Sequence, residues 1–304
     1  MAFKWIATSA LVLALAPAQE LHRVEATEPH MGTLFRLVVY SADEAAARAA
    51  IKRAFARAAD LDQKLSDYKP DSELNRLCHA PAGKPVRVSN DLFQVVAASL
   101  EIARSTKGAF DITLGPLTHQ WREARKAGRL PSVDQIAEAR AKTSYKKVSI
   151  EAGRKTITLK QPGMQLDLGG IAKGYAADQM LAILAAAGFR QSLVAASGDI
   201  RVGDAPPGRK GWTIELDGGE KLQLVNQAVS TAGAAEQFIE VNGIRYSHIL
   251  DPSTGVGLTN GLTVSVIAST GLLADGWDTA LCVIGERGRA RFMKAVPAGR
   301  VIFR

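Results

Sequence analysis

In the stretch 167-DLGGIAKGYAADQ-179, Asp167 and the paired Gly169 and Gly170 stand just ahead of a segment that reads as a long helix. The helix is expected to open near the glycines and close at Gly188. Free backbone N–H groups and the helix dipole at such a start favour an anionic group, above all a phosphate, and Lys173 one turn in adds a full positive charge. The spacing is neither a P-loop nor GxGxxG, and paired glycines also permit a tight strand-to-helix turn with no ligand. On the far side, Ser192–Ala196 reads as a strand leading into Ser197-Gly198-Asp199. Upstream, Thr33–Tyr40 alternates as a strand, and Ile51, Phe55, Ala58, Leu61 and Leu65 recur at helical spacing between Asp43 and Leu65. A second helix is expected from about Asp91 to Thr106, capped by Ser89 or Asn90 and stopped at Gly108, and two short strands over Val148–Leu159 turn at Gly153. Short strands and glycine turns fill Gly211 to Val266, and a helix follows from about Leu272 to Ile284. Helices and strands mixed without steady βαβ alternation predict an α+β fold, one compact body of mixed sheets and helices with perhaps two lobes.

The chain has 304 residues, 47% hydrophobic and 22% charged, the balance of an ordinary folded protein with ample core. Its net charge of +8 favours anionic partners such as nucleotides, phosphates or a membrane face. Nucleic acid is disfavoured, because the basic residues are scattered and no DNA- or RNA-binding signature appears. Met1–Lys4, the apolar run Trp5–Ala16 and the small-x-small site Ala16-Pro17-Ala18 read as an export signal over residues 1–18, leaving residues 19–304 as the mature domain. Cys78 and Cys282, the only two cysteines, fit either one disulfide or two free thiols.

Four stretches carry chemistry. In 247-SHILDPSTG-255, His248 is suited to act as a base, and Asp251 either orients it or caps the Asp-Pro turn; a plain strand histidine is the bland alternative. In 274-ADGWDTAL-281, Asp275 and Thr279 stand at i and i+4, so a helix projects both oxygens from one face, a partial shell for a hard cation such as Mg2+. In 108-GAFDITLGPLTHQW-121, Asp111 sits at the end of a strand or turn ahead of a Gly-Pro break, with His119 and Trp121 beyond it. The fourth is the glycine stretch that opens this section.

Taken in order, Met31-Gly32-Thr33, Ser66-Asp67-Tyr68 with Asn75, Gly108-Ala109-Phe110-Asp111 with Pro116-Leu117 and Trp121, Asp167-x-Gly-Gly-Ile-Ala-Lys-Gly-Tyr-Ala, Gly198-Asp199-Ile200, His248-Ile-x-Asp-Pro-x-Thr-Gly and Asp275-x-x-x-Thr279 form a series. That series resembles the FAD:protein FMN transferase (ApbE) family from about Met31 to about Gly285. The resemblance implies a T-fold-like α+β enzyme, periplasmic or membrane-associated, that uses Mg2+ and FAD and attaches FMN through a phosphoester to a Thr or Ser of an acceptor protein, a membrane redox protein, releasing AMP. It further implies FAD contacts at Met31, Tyr68, Ala109, Phe110, Asp111, Asp167, Lys173 and Ile249, metal contacts at the Gly170 carbonyl, Asp275 and Thr279, and a base at His248. Tyr68 and Phe110 are expected to hold a ring of the dinucleotide by stacking. One departure stands out. Where the family commonly shows Thr-Ser-Gly followed shortly by Tyr, this chain has 231-TAGAAEQF-238, so Ala232 removes a hydroxyl and Ala235 a ring. A Mg2+-dependent FAD pyrophosphatase and an exported flavin-binding protein without turnover remain as alternatives. So, more weakly, does flavinylation of Thr279 itself.

Overall fold

The structure, a computed structural model, describes residues 20–233 and 237–304. The expected export signal and Ala235 lie outside these residues. Seven strands form one antiparallel sheet in the spatial order His22–His30, Thr33–Ser41, Ser192–Ala196, Asp199–Val202, Ala228–Gly233, Thr263–Ala268 and Arg300–Phe303. Within Thr33–Ser41, Phe35, Leu37 and Val39 point into the main core, while Val38 points to the opposite face and is also buried. The strand is therefore covered on both sides, and its continuous apolar run has that cause.

Four helices, Glu44–Leu65, Asn90–Thr106, Ala172–Ala186 and Gly271–Ile284, supply most of the main core on one face. The small hairpin of Trp212–Glu215 and Lys221–Leu224 covers the other face, where Trp212, Ile214, Leu222 and Leu224 meet Val38, Val202 and Val229. Full burial of a large side chain such as Trp277, 1% exposed, contributes on the order of 2–3 kcal/mol. A third, smaller cluster gathers Leu117, Trp121, Ala139, Ile239 and Leu250 from the helices Gly115–Ala127 and Val133–Ala141, the hairpin Phe238–Val241/Ile244–Ser247 and the short strand Leu250–Asp251. This satellite core is what the two-lobe expectation amounts to within one compact body.

Helix boundaries fall close to those expected, with local reasons for each shift. Asp43 caps Glu44–Leu65 by accepting from Ala46 N at 2.9 Å, and Ser89, not Asn90, caps Asn90–Thr106. That helix ends at Lys107, itself left-handed at φ +57°, one residue before Gly108. The third helix begins at Ala172, later than the glycine pair, because Leu168 to Ile171 form a tight turn first. The Gly-Pro pair at 115–116 is no break: it opens Gly115–Ala127, with the proline in the first turn, where its missing N–H costs nothing. His248 does not stand within a strand either. Ile244–Ser247 ends before His248, and Leu250–Asp251 then pairs with Val256–Gly257 across the Asp-Pro turn.

Candidate active site

Two-residue turns place much of the site. Met31 and Gly32, at φ +48° and +74°, close the first hairpin and leave Met31 over the cleft. Ser197 and Gly198 close a second, with Ala196 opposite Asp199, so that Asp199 starts its strand pointing into the core of the site. Asn75 donates to the carbonyls of Asp67 and Lys69 at 3.0 and 2.8 Å and thereby shapes the loop that carries Tyr68. These segments, with the turn before Ala172–Ala186, the first half of Gly271–Ile284 and the 247–250 segment, line one cleft of about 650 Å³. Met31, Tyr68, Ala109, Phe110, Asp111, Asp167, Gly170, Lys173, His248, Ile249, Asp275 and Thr279 all border it.

Two helices build the floor by holding each other's N termini. Asp275, on Gly271–Ile284, accepts from Gly174 N at 2.9 Å, and Asp178, on Ala172–Ala186, accepts from Gly271 N and Leu272 N at 2.8 and 3.0 Å. Ala172–Ala186 has no side-chain cap from the residue before it, so Asp275 serves as one from across the interface. Contact is this close because Gly174 and Gly271 face each other: a Cβ at 174 would lie 2.1 Å from the Gly271 oxygen.

Around this crossing three buried carboxylates, Asp199, Asp275 and Asp278, bring one oxygen each within 4.8 Å of the others. Among the described residues Lys173 answers them, at 2.5 Å from Asp199 and 4.0 Å from Asp275. Burial works against its ammonium, but Asp199 and Asp275 outweigh that and hold its pKa above the usual lysine value. Burial, then the neighbouring Asp199, pushes the Asp275 carboxyl up to about 7; burial, then Asp275 and Asp199, drives Asp278 well above the carboxylate range. The Ser230 hydroxyl lies between Asp199 and Asp278, 2.5 Å from the latter. One hydroxyl carries one proton, so the second contact needs a proton on a carboxylate, which agrees with the direction at Asp278.

This donor set fits a hard divalent cation. Excess buried negative charge against one lysine favours a cation, and carboxylate, hydroxyl and carbonyl oxygens are what Mg2+ takes. The backbone at Gly170 approaches Thr279 so nearly that a Cβ there would lie 2.9 Å from Thr279 Oγ1, which leaves a cradle only glycine permits. Asp275, Thr279 and the Gly170 carbonyl are the residues that would hold the ion.

The walls differ from expectation in three respects. The Asp111 carboxylate is engaged by Thr113 N and Oγ1 at 2.9 and 2.6 Å and by Tyr145 N at 2.8 Å, so it ties two loops together behind the cleft. Burial raises its pKa, partly offset by those bonds. Phe110 is 4% exposed and packs in the core, whereas Tyr68 is 71% exposed, so of the two rings only Tyr68 presents a face. Asp251 accepts from Ser253 N and Oγ at 2.8 and 2.7 Å: it caps the turn and does not orient His248. Instead His248 Nδ1 lies 3.1 Å from the Gln237 carbonyl oxygen, to which its backbone N–H also donates at 2.9 Å. An Nδ1–H donor there presents Nε2 as the basic nitrogen.

Several cleft residues were missed as site residues from sequence. Asp278 stands three residues after Asp275, a spacing that puts both on one helical face and could have been read. Ser230 and Arg122 carry no such local signal, and Asp67 and Asp199 stand in the ordered series without a role assigned to either. At Thr231-Ala232-Gly233, Thr231 Oγ1 bonds Ser265 Oγ at 2.8 Å, and Ala232 borders the cleft. Both cysteines are free, and the Cys282 thiol is buried.

The fold is an antiparallel α+β body with a buried acidic floor beneath an open cleft, and the chain belongs to the ApbE family, whose model matches residues 31–303. It is similar to the FAD:protein FMN transferase of Klebsiella pneumoniae (strain 342), 34% identical over 268 residues that cover 84% of this chain and 77% of that one. Among solved structures it resembles the Pseudomonas stutzeri flavinyl transferase ApbE in its apo form, with TM-score 0.81, 31% identity and coverage of 93% and 91%. The flavin transferase ApbE from Vibrio cholerae superposes with TM-score 0.80 at 28% identity, covering 93% of each chain.

Proposed function

We propose that this protein is a Mg2+-dependent FAD:protein FMN transferase that moves FMN from FAD to a Thr or Ser hydroxyl of an acceptor protein and releases AMP. The observation that carries it is the convergence of every site residue that the resemblance implies on one cleft above the acidic floor. The names of the relatives at 34% identity support the same reading.

The acceptor hydroxyl is a weak nucleophile, so His248 takes its proton as the oxygen attacks the FMN-side phosphorus. The new P–O bond forms as the bond to the AMP oxygen breaks, and AMP leaves with that electron pair. Lys173 and the N terminus of Ala172–Ala186 offset charge on the diphosphate oxygens, and Tyr68 offers a face to a ring of the dinucleotide. When bound, Mg2+ would polarise the phosphorus and offset diphosphate charge. The remaining task, in phosphoryl transfer, is positioning, which the paired helices supply.

The N-terminal pattern of residues 1–18 supports an exported, periplasmic protein, and the family resemblance supports a membrane redox protein as its acceptor. Among the described residues no helix is long and apolar enough to cross a membrane. The test is to incubate the chain with FAD, Mg2+ and a tagged acceptor bearing a flavinylation motif, following the acceptor by mass spectrometry and AMP by chromatography. An acceptor heavier by FMN with AMP released is the expected result. Free FMN and AMP without the mass shift would make it a pyrophosphatase, and FAD bound but unchanged would make it a carrier.

A further inference from the structure

Arg122 takes no part in the chemistry above, yet three groups of the cleft meet on it. One guanidinium nitrogen donates to Asp67, the other donates to Asp167 at 2.8 Å, and the guanidinium carbon lies 4.0 Å from the centre of the Tyr68 ring. Asp167 in turn accepts from Gly169 N at 2.8 Å, so the contact reaches the turn before Ala172–Ala186. The Arg122 side chain is only 19% exposed, while Tyr68 stands in solvent at the cleft mouth. A planar guanidinium can bridge two carboxylates in its own plane and lie flat on an aromatic ring at the same time; an ammonium cannot. With two carboxylates answering its charge, Arg122 is poorly placed to bind a diphosphate and well placed to hold a ring.

We propose that Arg122 is a positioning residue that fixes the Tyr68 ring from behind, so that the opposite face stacks on a planar ring of the bound dinucleotide. The inference rests on the FAD reading given above. An exposed tyrosine on a loop loses side-chain freedom when a ligand stacks on it, and a ring already clasped has less to lose. The clasp therefore acts on ground-state FAD binding, and the rate of the chemical step depends on it little.

The experiment measures FAD affinity by the change in flavin fluorescence, and AMP release with Mg2+ and the tagged acceptor, for wild type, Arg122→Ala, Arg122→Lys, Tyr68→Ala and the Arg122→Ala/Tyr68→Ala double variant. Arg122→Ala is expected to weaken FAD binding about tenfold while kcat changes less than about threefold. Arg122→Lys keeps a charge for Asp67, so it is expected to melt near wild type yet bind FAD several-fold more weakly. In the double variant, affinity is expected to match Tyr68→Ala alone within about twofold, because the clasp has no ring to hold. Additive losses, unchanged affinity in both single Arg122 variants, or full recovery in Arg122→Lys would overturn the clasp and leave Arg122 as a structural tie. Wild type that binds FAD with the expected non-additivity but releases no AMP would sink the transferase reading and keep the clasp. AMP release with additive losses would do the reverse, and no FAD binding would sink both.

Discussion

At the scale of single residues, the acidic floor separates function from stability. Asp275 is a buried carboxylate among like charges, so neutralising it removes repulsion while an amide oxygen can still accept from Gly174 N. Asp275→Asn is therefore expected to cut Mg2+-dependent AMP release by about a hundredfold or more with no loss of thermal stability. A variant that melts well below wild type would show that the charge itself holds the helices together. His248 has a different signature. It is exposed at the rim and tethered to the Gln237 carbonyl. His248→Ala should lower kcat for FMN transfer by about 10²-fold while FAD affinity stays within about twofold. Equal loss in rate and affinity would make it a binding residue.

At the scale of elements, the pair Gly174–Asp178 on one helix answers Gly271–Asp275 on the other: each glycine allows the approach, and each aspartate four residues on caps the partner's start. The expected phosphate-facing helix end thus has part of its N–H set occupied by Asp275. Gly174→Ala forces a methyl into the Gly271 backbone, 2.1 Å from its oxygen, where no rotamer change can relieve it. The expected cost is about 3 kcal/mol or more in urea unfolding, with Mg2+-dependent activity lost in parallel. Retained stability would mean the helices can slide apart without consequence. The helices themselves were legible because their apolar positions recur every three to four residues. The edge strand His22–His30 was not: only Val24 along it is buried, so it shows no apolar alternation to read. Gly115–Ala127 was hidden by a Gly-Pro pair that signals a turn as readily as a helix start.

At the scale of the whole molecule, one acidic residue ties three helices. Asp91, 6% exposed, pairs with Arg57 and Lys64 of the first helix and accepts from Tyr175 of the third at 2.9 Å. Burial alone would raise its pKa, but these bonds outweigh burial and bring it down to about 2. A depressed carboxylate stabilises the fold fully above its unfolded value near 4, and that stabilisation is lost as pH falls through about 2. Allowing for solvent screening, about 1–2 kcal/mol is at stake. The stability gap between wild type and Asp91→Asn, measured by denaturant, should accordingly be largest near neutrality and shrink below about pH 3; a gap independent of pH would refute the assignment. The cleft was legible in outline because its motifs are local. Its acidic triad was not, since Asp199 reaches Asp275 and Asp278 only through sheet pairings that no stretch of sequence displays.

The hairpin tip at Met31 and the helix carrying Thr279 border the same cleft although almost the whole chain separates them. No early-emerging portion can therefore capture the dinucleotide. During synthesis the flavin site cannot be complete before the helix carrying Thr279 emerges, and a chain held unfolded carries no activity with it until it closes.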